Sequence, residues 1–154
     1  MNNEILKIID PYKKFYFKSF YLISTVLLFN AKGEVLLQLR DDKPEIINPN
    51  MWGPLGGHCD DGETPYDCAK RECYEETGYV CKKLNWDNNY IFPYRDNERH
   101  VVCFFWANYD NFQKINCYEG QKIVFLSINS LKNYNISKKN ISIIEHIKNS
   151  KKND

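Results

Sequence analysis

The sequence predicts an α/β domain in which a mixed β-sheet lies between helices. Three observations support this fold class: a nearly continuous apolar run at Tyr21–Phe29, a short helix signature at Pro65–Thr77, and regularly spaced isoleucines near the C-terminus. Strand patterns occur on both sides of the helix signature, which is typical of a sheet covered by helices. A chain of 154 residues can bury a sizeable core, so we expect a single domain over residues 1–154.

The first half of the chain predicts two strands and a loop. The run Tyr21–Phe29 is expected to be a central strand that is covered on both faces. After a turn at 30–33, the segment Glu34–Arg40 alternates between faces, which predicts a second strand in a hairpin with the first. Residues 41–51 are polar with two prolines, and they predict a surface loop.

The second half predicts further strands and a terminal helix. Residues 80–92 are polar in their middle, so we expect a strand, a turn and a second strand there. Val101–Ala107 and Ile123–Ile128 are strand patterns. Isoleucines at 141, 144 and 147 predict an amphipathic helix, for which Ser137 is the candidate N-cap.

The composition argues against several classes of function. A formal net charge of +1 gives no long-range field that would attract nucleic acid or a membrane surface. The apolar run at 20–29 is too short to span a bilayer, and no cleavage site follows it. The six cysteines form no CxxC pair and the three histidines are scattered, so we expect reduced thiols in a cytoplasmic protein and no zinc site.

The segment Pro65–Thr77 has clear helix boundaries and an unusual charge pattern. Thr64 is a good N-cap, and Gly78 lies where a left-handed C-terminal cap forms. Three glutamates share one face, where they repel one another and oppose the helix dipole: Glu72, Glu75 and Glu76. Such a cluster suits Mg²⁺ or Mn²⁺, although a solvated acidic helix face is the alternative.

The spacing of glycines and charged residues from Gly57 to Tyr79 favours a metal site over a solvated acidic face. This stretch resembles the Nudix box of the Nudix hydrolases at every fixed position, with mild departures at the hydrophobic slots Cys73 and Tyr79. The fixed identities are Gly57, Glu63, Arg71, Glu72, Glu75, Glu76 and Gly78. The resemblance implies the Nudix α/β/α sandwich and Mg²⁺- or Mn²⁺-dependent hydrolysis of a diphosphate linkage in a nucleoside diphosphate derivative.

The resemblance also implies roles for individual residues. The implied metal ligands are three carboxylates and one backbone carbonyl: Glu72, Glu75, Glu76 and Gly56. Arg71 is implied to orient the glutamates, and Glu72 is also a candidate for activating water. Three residues are implied to keep the box in shape: Gly57, Glu63 and Gly78.

Short fragments outside the box resemble the MutT branch, which hydrolyses nucleoside triphosphates, including oxidised guanine nucleotides. The segment Glu119-Gly120-Gln121 resembles a loop that supplies a further metal-linked glutamate, so Glu119 is a candidate catalytic residue. Four residues are candidates for substrate binding: Arg40, Trp52, Phe92 and Arg99. Trp52 and Phe92 would suit stacking on a base. The alternatives are a turn acid for Glu119, and core packing or a solvated strand end for the other residues.

Other functions stay open at this point. A pyrophosphatase that acts on a nucleotide sugar, ADP-ribose or a dinucleoside polyphosphate is the second enzymatic interpretation. A Nudix-fold ligand-binding module without catalysis is a third, which the complete set of box carboxylates disfavours. The expected partner is a small nucleotide, without nucleic acid or membrane, and the expected assembly is a monomer or homodimer.

Overall fold

The computed structural model describes residues 9–16, 20–94 and 98–151, and it leaves the side chains of 88–94 and 98 undescribed. Within these ranges the chain forms seven strands, two α-helices and one 3₁₀ helix. The strands are β1 (Tyr21–Phe29), β2 (Val35–Leu39), β3 (Trp52–Gly53), β4 (Leu55–His58), β5 (Asn85–Tyr94), β6 (Glu98–Asn108) and β7 (Lys122–Leu126). The helices are α1 (Pro65–Thr77), the 3₁₀ helix Ile128–Asn133 and α2 (Lys138–Lys151). Neither α-helix of the described ranges is long and apolar enough to cross a membrane.

Strand β1 is the centre of a mixed sheet. It pairs in parallel with β6 along its full length, from Tyr21 opposite His100 to Phe29 opposite Asn108. Its other edge pairs with β4 in antiparallel orientation, and β2 pairs with β3 and β7. The sheet therefore holds β4, which leads into the box helix, directly against its central strand.

The two faces of the sheet are covered by different helices. Val26 and Leu28 of β1 belong to the buried cluster that includes apolar residues of α1. Leu27 and Phe29 belong to the second cluster, with the buried isoleucines of α2. Because successive strand residues point to opposite faces, the apolar run of β1 supplies both cores. The predicted α/β/α sandwich with a mixed central sheet is confirmed.

Both α-helices begin at the predicted caps. The Thr64 hydroxyl accepts a hydrogen bond from the Asp67 amide at 3.0 Å, and the Ser137 hydroxyl accepts one from Asn140 at 3.1 Å. At the end of α1, Gly78 has a φ of 75°, the left-handed conformation expected of a C-terminal cap. The box helix Pro65–Thr77 therefore has the predicted boundaries.

The prediction of two strands within 80–92 is wrong. Strand β5 is a single element that begins at Asn85, and its register against β6 shifts between Trp86 and Asn88. The polar residues that suggested a turn lie at this bulge, which takes up an extra residue without ending the strand. β5 also lies at the edge of the sheet, where polar side chains are tolerated.

The predicted hairpin of the first two strands forms only at its base. Strands β1 and β2 pair where Phe29 lies opposite Val35. Beyond that point β4 occupies the edge of β1, so β2 diverges and pairs with β7 instead. The last predicted strand also ends earlier than expected, because Ile128 begins the 3₁₀ helix.

The cap of α1 gives a direct test of how this helix begins. Thr64→Ala removes the oxygen that accepts the Asp67 amide, so the free energy of unfolding should fall by about 1 kcal/mol. Thr64→Ser keeps a hydroxyl at the same position and should retain wild-type stability. Chemical denaturation of the three proteins measures the difference. Equal losses in both variants would assign the effect to the threonine methyl group instead of the cap.

Candidate active site

Arg71 is the centre of the polar network on the box helix. Its guanidinium donates to both carboxylate oxygens of Glu63, at 2.8 and 3.0 Å. It also donates to Glu72 at 2.8 Å and to the more exposed Glu75 at 3.2 Å. Glu63, followed by Glu72, raises the pKa of Arg71, so the cation persists at any physiological pH. The network fixes the orientation of Glu72 relative to the helix axis.

The same arginine holds the loop that precedes α1. Arg71 donates to the backbone carbonyl of His58 at 3.1 Å, and the Asp60 amide donates to Glu63 at 2.9 Å. Burial opposes ionisation of Glu63, yet the Arg71 hydrogen bond and charge keep its pKa below the ordinary value. Glu63 therefore links the loop to Arg71 by hydrogen bonds, and its role in keeping the box in shape stays a prediction.

Two glycines let β4 approach both β1 and α1 closely. A Cβ atom at Gly56 would lie 2.1 Å from the Ser24 carbonyl oxygen of β1. A Cβ atom at Gly57 would lie 2.6 Å from the carboxylate of Glu72. A side chain at position 56 would overlap the backbone of β1, whereas one at position 57 would displace the Glu72 carboxylate. The glycines thus create the narrow space in which Glu72 meets the backbone of β4.

Glu76 is the buried member of the acidic cluster. Only 2% of its surface is exposed, and its carboxyl accepts the Gly56 amide at 3.3 Å from each oxygen. Burial raises the pKa of Glu76 to about 9, and the charge of Glu119 adds to the effect. Without a bound cation, this carboxyl therefore holds a proton at neutral pH.

Glu72 and Glu119 lie on the open side of the same cluster. Both line a cavity of about 720 Å³, together with Gly56 and Gly57. Burial raises the pKa of Glu72, while Arg71 partly offsets this effect. Glu119 is exposed in the loop before β7, and its charge acts on both Glu72 and Glu76. The fold thus gathers acids from α1 and from a loop that lies more than forty residues later in the sequence.

The oxygen-rich cluster fits a hard divalent cation. Its members are carboxylates and a backbone carbonyl, the donors that Mg²⁺ prefers over soft ligands. The glycines leave room beside Glu72, and Glu76 is a buried acid that a cation would stabilise in its charged form. Glu75 shares the Arg71 guanidinium with Glu72 and is the more exposed of the two. The predicted ligands are Gly56, Glu72, Glu75 and Glu76, with Glu119 as a further metal-linked acid, and their roles stay predictions.

Two of the four candidate substrate residues line the cavity. Arg40 and Trp52 line the cavity, where the Arg40 Nε donates to the Ile47 carbonyl at 2.8 Å. Arg99 lies on β6 opposite Pro93 and does not line this cavity in the described part of the chain. The side chain of Phe92 lies outside the described residues, so its role stays a prediction.

Sequence reasoning missed several groups that line the cavity. The Nε2 atoms of His58 and His100 lie 3.2 Å apart, and the ring of Tyr21 stacks on His100. These residues meet because β4 and β6 flank opposite edges of β1. Asn140, at the start of α2, lines the cavity from the other side. No local spacing in the sequence signals these contacts, since they depend on strand pairing.

The buried acid predicts how stability depends on pH in the absence of metal. The folded-state pKa of Glu76 is about 9, above the ordinary value of 4.5, so unfolding releases a proton between these limits. Wild-type stability should therefore decline as pH rises from about 4.5 to about 9, by at most about 1.4 kcal/mol per pH unit from this group. Glu76→Gln mimics the protonated acid and removes this contribution.

Thermal unfolding with chelator present tests this prediction. The melting temperature of Glu76→Gln minus that of wild type should increase steadily with pH over this interval. A difference that stays constant across the interval would show that Glu76 ionises at its ordinary pKa.

Comparison with known proteins identifies the family. The family model described as the NUDIX domain matches residues 22–147, which is most of the chain. A GDP-mannose pyrophosphatase from Yersinia pestis (strain Pestoides F) is 36% identical over 97 residues, which cover 60% of this chain and 48% of the relative. The matched region thus spans about half the length of this curated relative.

Solved structures share the fold over a larger part of the chain. The MutT protein from Methanosarcina mazei Go1 has a TM-score of 0.75 at 20% identity, covering 88% of this chain and 97% of that one. The NUDIX domain of Shewanella oneidensis NrtR, complexed with ADP ribose, has a TM-score of 0.71 at 20% identity, covering 97% and 98%. With the matched domain and the complete box, these likenesses lead to one conclusion: the chain belongs to the Nudix family.

Proposed function

We propose that this protein is a Mg²⁺-dependent hydrolase that cleaves a diphosphate linkage in a nucleoside triphosphate or another nucleoside diphosphate derivative. A nucleoside monophosphate is one product, and clearance of damaged nucleotides is a suitable role. The observation that carries the proposal is the position of the acids. Glu72 and Glu119 open onto a cavity of about 720 Å³, and Glu76 is buried behind Gly56 at its base.

The protein's own residues supply orientation and proton transfer. A divalent cation held by the Gly56 carbonyl and the predicted carboxylate ligands, Glu75 included, would neutralise phosphate charge and lower the pKa of the attacking water. Arg71 keeps Glu72 in one orientation at 2.8 Å, and burial raises the pKa of Glu72, which strengthens it as a proton acceptor. We therefore assign Glu72 to water activation and Arg71 to positioning. Glu76 must lose its proton before it can serve as a charged ligand.

The rest of the cavity suits the nucleoside part of the substrate. Its walls combine apolar side chains with a few amides and hydroxyls, as small-molecule sites usually do. Trp52, Met51 and Ile47 supply apolar surface, while Asn48 and Asn140 supply hydrogen-bonding groups. Glu72 and Glu119 line this cavity and are close enough to interact electrostatically, so a phosphate chain bound at these acids shares the cavity with the base.

A nucleotide-sugar pyrophosphatase is the second candidate. The similarity to a GDP-mannose pyrophosphatase, at 36% identity over 97 residues, favours it. Both candidates use the same acids, and they differ in the group attached to the outer phosphate. We further propose a cytoplasmic location, which the six free cysteines support.

A substrate panel followed by phosphorus NMR tests the proposal. The panel contains nucleoside triphosphates, ADP-ribose, GDP-mannose and a dinucleoside polyphosphate, each with Mg²⁺ and with excess chelator. We expect Mg²⁺-dependent release of a nucleoside monophosphate, with pyrophosphate as the second product from a triphosphate. A sugar phosphate as the second product would select the alternative candidate.

Two controls complete this experiment. A nucleoside monophosphate contains no diphosphate linkage and should stay intact. Glu72→Gln should lose turnover by orders of magnitude, because it removes both a charged ligand and the proton acceptor. Full turnover after exhaustive chelation would contradict the mechanism, and nucleotide binding without turnover of any panel member would identify a binding module.

A further inference from the structure

Two cysteines and a glutamate converge beneath the loop that leads into α1. The Sγ atoms of Cys59 and Cys68 and a carboxylate oxygen of Glu63 all lie within 4.8 Å of one another. Cys59 directly follows β4, Glu63 belongs to the loop, and Cys68 lies in the first turns of α1. The sequence contains no CxxC pair, and for that reason we expected no zinc site. Spacing alone does not reveal this arrangement.

We propose that Cys59, Glu63 and Cys68 form a binding site for a thiophilic divalent cation of the Zn²⁺ or Cd²⁺ class. The site is distinct from the acids of the cavity and goes beyond the proposed hydrolase activity. Two thiolates and one carboxylate are a donor set that Zn²⁺ accepts, whereas Mg²⁺ selects oxygen ligands alone. The two cation sites should therefore fill independently.

Glu63 can bind a cation without releasing Arg71. Its carboxylate accepts three hydrogen bonds from nitrogen donors, two from Arg71 and one from the Asp60 amide. A carboxylate offers about four lone-pair positions, and the Cys68 thiol uses the fourth. This position becomes available to a metal when the thiol gives up its proton. The Oε2 atom accepts two of these bonds and Oε1 accepts one, from the Arg71 Nε, so Oε1 is the oxygen with room for the metal.

A divalent cation would offset most of the negative charge of the occupied site. Two thiolates and the Glu63 carboxylate carry three negative charges against two on the cation, and Arg71, which also pairs with Glu72 and Glu75, supplies part of the remainder. The hydrogen bond with Cys59, followed by burial, raises the pKa of the Cys68 thiol, so the bound cation itself must stabilise the thiolate, with Arg71 3.9 Å from the sulfur. Each cysteine would transfer its proton to the buffer as the metal–sulfur bond forms.

The site is accessible from solvent on one side. Cys68 is fully buried, whereas Cys59 is partly exposed and lines a second cavity of about 370 Å³. Asp60 and Asp61 line the same cavity and would attract an approaching cation. Ligands of a tetrahedral zinc site lie about 3.3–3.8 Å apart, so small side-chain rotations suffice to close the cluster. Water entering from this cavity would occupy the fourth position.

Cadmium binding to the reduced protein tests the proposal. The full chain is kept in a phosphine reductant with excess Mg²⁺, and Cd²⁺ is added while the thiolate-to-metal absorption and the heat of binding are recorded. Wild type should bind one Cd²⁺ per chain and release protons to the buffer. Cys59→Ala should weaken binding at least tenfold.

Cys81→Ala is the matched control, because Cys81 belongs to the other close thiol pair. Its Sγ lies 3.6 Å from that of Cys73, and both residues are buried. Binding should survive in this variant. Loss of binding in Cys81→Ala with retention in Cys59→Ala would overturn the proposal, and so would a wild-type protein that binds no Cd²⁺.

A second test uses only the wild-type protein, so it does not require that any variant folds. Alkylation of the native protein, followed by peptide mass analysis, reports the reactivity of each exposed thiol. Zn²⁺ should protect Cys59 and leave the exposed Cys117 reactive. Equal alkylation of Cys59 with and without Zn²⁺ would contradict the proposed site.

Discussion

The guanidinium of Arg71 is the interaction on which the arrangement of the site depends. It binds both oxygens of Glu63 and one oxygen of Glu72 at distances of 2.8–3.0 Å, and it also reaches the backbone carbonyl of His58 at the end of β4. Charge-assisted bonds of this kind are stronger than neutral ones, and the planar fork fixes their directions. One side chain thus connects strand β4, the loop and helix α1 into a single unit.

A buried acid beside this unit lowers the stability of the metal-free protein. Glu76 is buried at 2% exposure beside acids of the same sign, and burial raises its pKa to about 9. The close approach of β4 also restricts position 56 to glycine, because a Cβ atom there would overlap the Ser24 carbonyl of β1. At neutral pH the metal-free fold keeps Glu76 protonated, which lowers stability relative to an acid that ionises freely, and a bound cation would favour the charged form. The two apolar cores on either face of the sheet provide the stability that this requires.

Local chemistry explains why part of the fold is predictable from the sequence. The caps Thr64 and Gly78 act within a few residues of themselves, so the bounds of α1 follow from residue types alone. The bulge in β5 is not predictable in this way, because a polar segment forms a strand only where an edge position and a partner such as β6 are available. The predicted β1–β2 hairpin is only partly correct, because β4 also pairs with the edge of β1. Which strand pairs with that edge depends on the whole sheet and not on the local sequence.

In the functional clusters, too, some contacts follow from local sequence and others depend on the fold. The acids of α1 recur at helical spacing, so the sequence alone identifies them as a cluster. The contact between His58 and His100 joins residues 42 positions apart, and it depends on the registers of two strand pairs. The thiol cluster spans a strand end, a loop and a helix, so its members have no recognisable spacing. Strand pairing brings the two histidines together, whereas the cluster of Cys59, Glu63 and Cys68 forms where the loop folds back onto α1.

We propose that Glu72 and its neighbours form a site for a hard divalent cation. Titration of Mn²⁺ followed by electron paramagnetic resonance tests this most directly, because the signal of free Mn²⁺ decreases as the ion binds. Wild type and Glu45→Gln, which changes an exposed loop acid, should bind Mn²⁺ alike. Glu72→Gln should bind it at least tenfold more weakly. Equal binding by Glu72→Gln and wild type would contradict the account.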